Sequence, residues 1–477
     1  MLVRTRLGVV MLAVPICVCS LIPIFSGASS SASVVSPSVS PATGGGGVPV
    51  VPGFTSFDPS VVGYRQSEFF LSGTASAYAM TAPVNNDGRY SAVATSTAPY
   101  TTRAVVMRPV DPRRFNGTVL VEWLNVSGGA DNGPDWTQAH TEMIREGFVW
   151  VGVSAQKIGV DALKSDQPPT GDPTRYAGLS HPGDDYSYDI FSQAGQAIRD
   201  HARTMLGGLK PKKIIATGES QSAIRLVSYI DAVHPLARVY DGFLVHSRGG
   251  GPPIRADAGV PVLVFMTQTD VSFSNGTARQ PDTNTYRLWE VAGTAHYDYY
   301  GLALGPADTG DGHAGSAVLA SMQNPTNKPP GPNFTCDSPI NSWAAHYVLD
   351  AAVYHLNRWV TKGIVPPVAP RFQIKTTSPV VFATDANGNA LGGIRTPAVD
   401  VPVATLTGTP PGGTGFCFLF GTTTPLTPAQ MTALYPSHQK FAAAWTRATK
   451  SAQAGGFLVP ADAKELVSAA VHSDIGK

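Results

Sequence analysis

Short apolar runs recur through the middle of the chain. Residues 118–124, 147–154, 213–217, 242–246, 260–266 and 287–291 are each strand-length and largely apolar at successive positions. That is the pattern of strands buried on both faces. Between them, 189–206 places Ile190, Ala194, Ala197, Ile198 and Met205 at helical spacing, and 222–233 predicts a helix that stops before Pro235. Short strands alternating with helices predict an α/β fold, a mostly parallel sheet covered on both faces and wound by right-handed crossovers. Upstream, 54–116 mixes Tyr, Thr and Val with turn residues (Asn85, Asn86, Asp87, Gly88) and predicts antiparallel strands added to the sheet. Downstream, a Gly/Pro-rich loop after 300 leads to a long helix over 343–361, then to β-hairpins within 370–420. Asp385-Ala386-Asn387-Gly388 is one of the turns, and helices run to the C-terminus.

The chain's ends divide differently. Arg4 and Arg6 precede an apolar run over 7–25, and small residues from Ala28 to Ala32 follow. This is the layout of an export signal over 1–32. Pro15, Pro23 and the small residues directly after the run favour cleavage over a retained anchor. The 33–53 segment is Ser, Pro, Val and Gly, with Gly44 to Gly47 in a row, and reads as a flexible tether. One domain is expected over 54–477, with its core in 110–300 plus 343–361 and an extension over 362–477. Cys17 and Cys19 lie inside the leader, leaving Cys336 and Cys417 to form one disulfide in an exported chain. The formal net charge is +1. There is no electrostatic case for a nucleic-acid partner, nor any Lys/Arg block to make a local one.

Candidate chemistry centres on Ile214-Ile215-Ala216-Thr217-Gly218-Glu219-Ser220-Gln221-Ser222-Ala223. A strand runs into G-x-S-x-S and directly into a helix, the setting of a nucleophile elbow at Ser220. Gly218 and Ser222 are small where strand and helix pass closely. The competing reading is an ordinary helix N-cap serine. A serine nucleophile needs a base, and the base an orienting acid, in the order Ser, acid, His. Asp270 follows the strand over 260–266, at the functional edge of the sheet. His296 follows the next strand in Gly293-Thr294-Ala295-His296. Glu290 and Asp282 stay open as alternative acids, whereas Asp298 is too near His296 in sequence to reach its far nitrogen. His246 precedes the acid and is assigned a site-lining or structural role, with Asn125 also lining the site. His140, His181, His234 and His313 lack metal-ligand spacing. Backbone N–H groups of Gln221 and Val126 are the expected oxyanion donors, with Asn125 and Ser127 as close rivals of Val126.

Several blocks resemble the "alpha/beta hydrolase domain" family of large bacterial proteins. They are Phe115-Asn116-Gly117-Thr118 with Val121-Glu122-Trp123-Leu124-Asn125-Val126; Val151-Gly152-Val153-Ser154-Ala155-Gln156; Tyr188-Asp189-Ile190-Phe191-Ser192-Gln193-Ala194-Gly195; Gly218-Glu219-Ser220-Gln221-Ser222-Ala223; His234-Pro235-Leu236 with Tyr240-Asp241-Gly242-Phe243-Leu244; and Gly293-Thr294-Ala295-His296. The resemblance spans roughly 55–475. It implies the α/β-hydrolase fold and supports Ser220 and His296, without supplying a substrate. Only a short link joins His246 to Val260, so the usual lid insertion is missing there. Cover is expected from 156–188 or 301–340, with Tyr176, Tyr186 and Tyr188 as candidate pocket aromatics. The resulting expectation is a secreted or envelope-located carboxylic ester hydrolase. It needs no metal or organic cofactor, takes a small-molecule or lipid-like ester, and has no stable membrane span once the leader is removed. An acyltransferase with the same triad, a non-catalytic binding protein and a structural envelope protein are the alternatives.

Overall fold

The computed structural model describes residues 34–47, 55–81, 87–331 and 334–477, and these fall in one compact unit. The leader expected at 1–32 lies outside them. So do 48–53 of the tether and the Asn85-Asn86 part of the first turn.

The strands are β1 (Ser38–Pro41), β2 (Tyr64–Thr81), β3 (Ser91–Pro109), β4 (Thr118–Trp123), β5 (Val149–Val153), β6 (Lys213–Glu219), β7 (Gly242–His246), β8 (Val262–Thr267) and β9 (Tyr286–Val291). They form one sheet in the order β1-β2-β3-β5-β4-β6-β7-β8-β9. From β5 to β9 all neighbours are parallel. The first three strands add on antiparallel at one edge. Alternation along β4 sends Val119, Val121 and Trp123 into one apolar core and Leu120 into the other. The helices α1 (Pro134–Glu146), α2 (Ser187–Asp200), α3 (Gln221–Ser228), α4 (Gln268–Phe273) and α5 (His346–Lys362) follow. Helices α2 and α3 bury Ile190, Phe191 and Leu226 in the first core. Helices α1 and α5 bury Trp136, Met143, Leu349 and Leu356 in the second. This is the α/β fold with both faces covered that the apolar runs predict.

Two expectations need correction. The tether is not wholly flexible: Ser38–Pro41 pairs with β2 and closes the sheet's outer edge. Its low-complexity composition masks a strand because an edge strand needs backbone pairing more than apolar side chains. The helix after Ser220 does not simply stop before Pro235. It widens into a π-turn at Tyr229–Val233 and re-forms as a short helix, His234–Ala237, with Pro235 in its first turn. A proline is tolerated there because the first-turn N–H groups have no intrahelical partner.

The C-terminal extension carries two small hairpins, Ile374–Thr377 with Val380–Phe382 and Ala404–Thr407 with Thr422–Pro425. The helices α6 (His438–Ala454) and α7 (Pro460–His472) complete it. Gly388 N–H bonds to the Asp385 carbonyl, closing the turn expected there. Among the described residues no helix is long and apolar enough to cross a membrane. A disulfide joins Cys336 to Cys417 across 81 positions, tying the loop before α5 to the second hairpin. A cross-link closing a loop of that length typically contributes about 2–4 kcal/mol. Reducing it, or replacing both cysteines by serine, is expected to lower the unfolding free energy in urea by that amount. An unchanged midpoint would show that the link carries no stability.

Candidate active site

Ser220 sits between β6 and α3 with φ 58° and ψ −120°. A residue bearing a Cβ resists this region, at a cost on the order of 1–3 kcal/mol. The surroundings impose it. Ser220 N–H donates to the His246 carbonyl of β7 at 3.0 Å, and the Ser220 carbonyl accepts from Ile224 N–H as α3 begins. A Cβ at Gly218 would lie 3.1 Å from the Ser222 backbone, so strand and helix pass closely here and any side chain would press them apart by a few tenths of an ångström.

The first turn of α4, directly after β8, and the loop after β9 bring the other groups in. His296 Nε2 lies 2.8 Å from Ser220 Oγ, and its Nδ1 lies 2.5 Å from Asp270 Oδ1. Asp270 is the third residue of α4, in a capping box with Thr267. Its Oδ2 accepts from the Thr267 N–H, the Thr267 hydroxyl and the Ser247 hydroxyl, each at 2.7 Å. Burial alone would raise the Asp270 carboxyl. The His296 ring and these hydrogen bonds outweigh burial and hold it below the usual carboxylate range. Burial works to lower His296, but the carboxylates of Glu219 and Asp270 outweigh it and raise the ring to about 9.

The rival acids are engaged elsewhere. Glu290 is paired with Arg279 at 2.7 Å, and Asp282 with Arg371 at 2.8 Å. Asp298 accepts from the Gly301 and Ala345 N–H groups. His246 does not line the site. It is wholly buried, and its Nδ1 bonds to Asp135 Oδ1 at 2.8 Å, while Asp135 Oδ2 takes the Thr217 hydroxyl at 2.6 Å. This pair braces α1 against β6 and β7 beneath the serine. Asn125 is also buried: its Nδ2 donates to the Glu219 carbonyl at 3.1 Å and to Glu219 Oε2 at 3.2 Å. Tyr176 and Tyr188 are core residues rather than pocket aromatics. The Tyr176 hydroxyl bonds to Glu68, and Tyr188 packs edge-on against Trp123. Tyr186 shares a hydrogen bond with Ser96.

In the loop after β4, Asn132 accepts the Asn125 N–H and Asn125 Oδ1 accepts the Ser127 N–H. Of the three donors considered there, Val126 N–H is the one left between two committed neighbours. Gln221 N–H opens α3, at the positive end of its dipole.

Sequence reasoning missed the residues that hold these loops. Gly293 N–H bonds to Gln268 Oε1 at 3.1 Å, linking the histidine loop to α4. Asn341 Nδ2 donates to the Gly293 and Thr407 carbonyls, each at 3.0 Å. Thr269 Oγ1 donates to the Gly408 carbonyl at 2.9 Å. The extension therefore grips both the first turn of α4 and the histidine loop. The Thr267-x-x-Asp270 spacing was a visible signal for the capping box; the long-range partners left none. Glu219 was also missed, although it adjoins the serine. Its Oε1 lies 3.1 Å from His296 Nε2, and burial pushes its carboxyl up to about 7 against the pull of His296 and His246. A hydroxyl on an imidazole that is itself held by a carboxylate can lose its proton as it attacks an electrophilic carbon.

The sequence matches the family model described as "Alpha/beta hydrolase domain" over residues 34–468. No curated protein matches it. Solved structures similar to it include an alpha-beta serine hydrolase homologue from Coxiella burnetii, at 12% identity and TM-score 0.26, covering 41% of this chain and 84% of that one. A study of two fungal esterases from Rhizomucor miehei supplies another, at 11% identity and TM-score 0.24, covering 52% and 89%. A glucuronoyl esterase from Solibacter usitatus matches at 9% identity and TM-score 0.26, covering 48% and 76%.

The backbone at Ser220 makes a stability prediction independent of any activity. Ser220→Ala and Ser220→Gly both lose the hydroxyl, but only glycine relieves the positive φ. The glycine variant is expected to be more stable in urea than the alanine variant by about 1 kcal/mol, after its own entropy cost. Equal or reversed stabilities would mean that the bend is unstrained.

Proposed function

The chain belongs to the alpha/beta hydrolase domain family, and on that premise we propose that it is a secreted serine hydrolase acting on carboxylic esters. One observation carries the reading: the unbroken contact from Ser220 Oγ through His296 to Asp270, at 2.8 Å and 2.5 Å. In this reading Ser220 attacks the ester carbonyl while His296 takes its proton. Asp270 fixes the tautomer with Nδ1–H and stabilises the imidazolium. The N–H groups of Gln221 and Val126 hold the developing oxyanion. The alkoxide leaves with the proton from His296, and water then repeats the sequence on the acyl-enzyme. The substrate is a small-molecule or lipid-like ester. Export is supported by the Cys336–Cys417 disulfide, a feature of oxidising compartments.

Purified protein lacking the leader should hydrolyse simple aryl esters. Ser220→Ala should lower kcat by about a thousandfold or more while circular dichroism stays unchanged. Turnover by Ser220→Ala at the wild-type rate would overturn the assignment. Product analysis with an added alcohol then separates hydrolysis from acyl transfer: free acid as the main product supports the reading, and acyl transfer to the alcohol as the main product opposes it.

A further inference from the structure

Glu219 is the buried ionisable group at this site that the proposed reaction does not use. It directly precedes the serine, yet its side chain turns toward the imidazole. Oε1 approaches His296 Nε2 to 3.1 Å, the same nitrogen that meets Ser220 Oγ at 2.8 Å. Oε1 is buried with no hydrogen-bond partner of its own. Oε2 is tethered by Asn125 Nδ2 at 3.2 Å, which keeps the carboxylate from turning away.

We propose that Glu219 and His296 form a proton-holding pair, in which the ionised Glu219 carboxylate stabilises the imidazolium and keeps the base occupied until that proton leaves. The inference rests on reading His296 as the base.

The reasoning is geometric. An imidazole nitrogen presents one in-plane direction, carrying either a proton or a lone pair. In the neutral ring with Nδ1–H on Asp270, the Nε2 lone pair must accept from the Ser220 hydroxyl, and a carboxylate oxygen beside it repels it. In the imidazolium, Nε2–H is directed at Ser220 Oγ, Glu219 Oε1 stands 3.1 Å from the same nitrogen as a neighbouring charge without a hydrogen bond of its own, and Asp270 holds the opposite nitrogen. Both carboxylates then attract the ring. Every neighbouring element contributes to this field. Asp135 of α1, His246 of β7, Asp270 of α4 and His296 all act on Glu219. Tyr297, next to His296, feels Glu219, Asp298 and Glu122. The raised position of His296, about 9, agrees with a ring held protonated at neutral pH.

No co-reactant is required. In acylation the Ser220 O–H bond breaks, the Oγ–carbon bond forms and the proton passes to Nε2. The same proton later leaves on the alkoxide, and Glu219, pushed up to about 7, is ionised across the alkaline range in which the base is free. Its charge makes His296 a stronger base once the resting proton has gone, at the cost of an alkaline working range.

The test compares wild type with Glu219→Gln, which keeps the shape and removes the charge. The His296 ring is titrated by carbon-labelled NMR in the folded mature chain, its signal assigned by its loss in His296→Gln. The pH profile of kcat/KM is measured on an aryl ester. The wild-type ring and the acid limb are expected at about 9. In Glu219→Gln both should move down by roughly one to three units, with kcat on the plateau reduced and KM little changed. If neither moves, the pair does not exist, whatever the effect on rate. Should Glu219→Gln fail to fold, Glu219→Asp carries the test. Its charge is withdrawn by one methylene, so a smaller downward shift supports the pair and no shift overturns it. A protein that hydrolyses no ester at any pH, yet shows the NMR shift, would retain the pair and lose the esterase reading.

Discussion

A single residue with its backbone in a conformation it resists, Ser220 at φ 58° and ψ −120°, is the constraint around which this molecule is arranged. The bend cannot persist by local preference. It is held by the parallel register of β6 on β7, which puts Glu219 opposite His246, and by the hydrogen bond from Ser220 N–H to the next strand. A glycine two residues earlier eases it, because a Cβ there would crowd the Ser222 backbone at 3.1 Å. Beneath it, the buried Asp135–His246 pair joins α1 to the two central strands. Breaking such a pair is costly because the surviving partner is left unpaired away from water.

The acid reaches the site from the first turn of α4, and the imidazole from a loop, the least constrained kind of segment in an α/β fold. Here α4 and the loop after β9 are fastened to each other through Gln268 and Gly293, and to the C-terminal extension through Thr269 and, by way of Asn341, through Thr407. A Cβ at Gly293 would meet Val399 at 2.6 Å, so the histidine loop packs directly on the extension. The extension, with its disulfide, thus acts as scaffold for the site. That explains why it belongs to the same compact unit as the sheet.

The parallel sheet and its order of strands and helices were legible because both-face burial writes uninterrupted apolar runs. That Ser220, His296 and Asp270 would be neighbours was legible through local syntax: G-x-S-x-S between a strand and a helix, an aspartate and a histidine just past successive strands. Asp270 could not be separated from Glu290 and Asp282 in sequence, because what distinguishes them is that Glu290 pairs with Arg279 and Asp282 with Arg371 in the folded chain. The edge strand at Ser38–Pro41 was hidden by its composition. Whether His246 lines the site or is structural stayed open in the sequence, because a strand-end position does not reveal that α1 supplies it a buried carboxylate. Glu219 went unnoticed because side-chain direction at a strained bend follows no simple alternation.

The most direct measurement of the central claim is the mass of the peptide containing Ser220 after the folded protein meets a fluorophosphonate. The account predicts a stoichiometric adduct on Ser220 that disappears when His296 is replaced by alanine. An unmodified Ser220 in the wild-type protein, or an adduct that forms equally well without the imidazole, would contradict it.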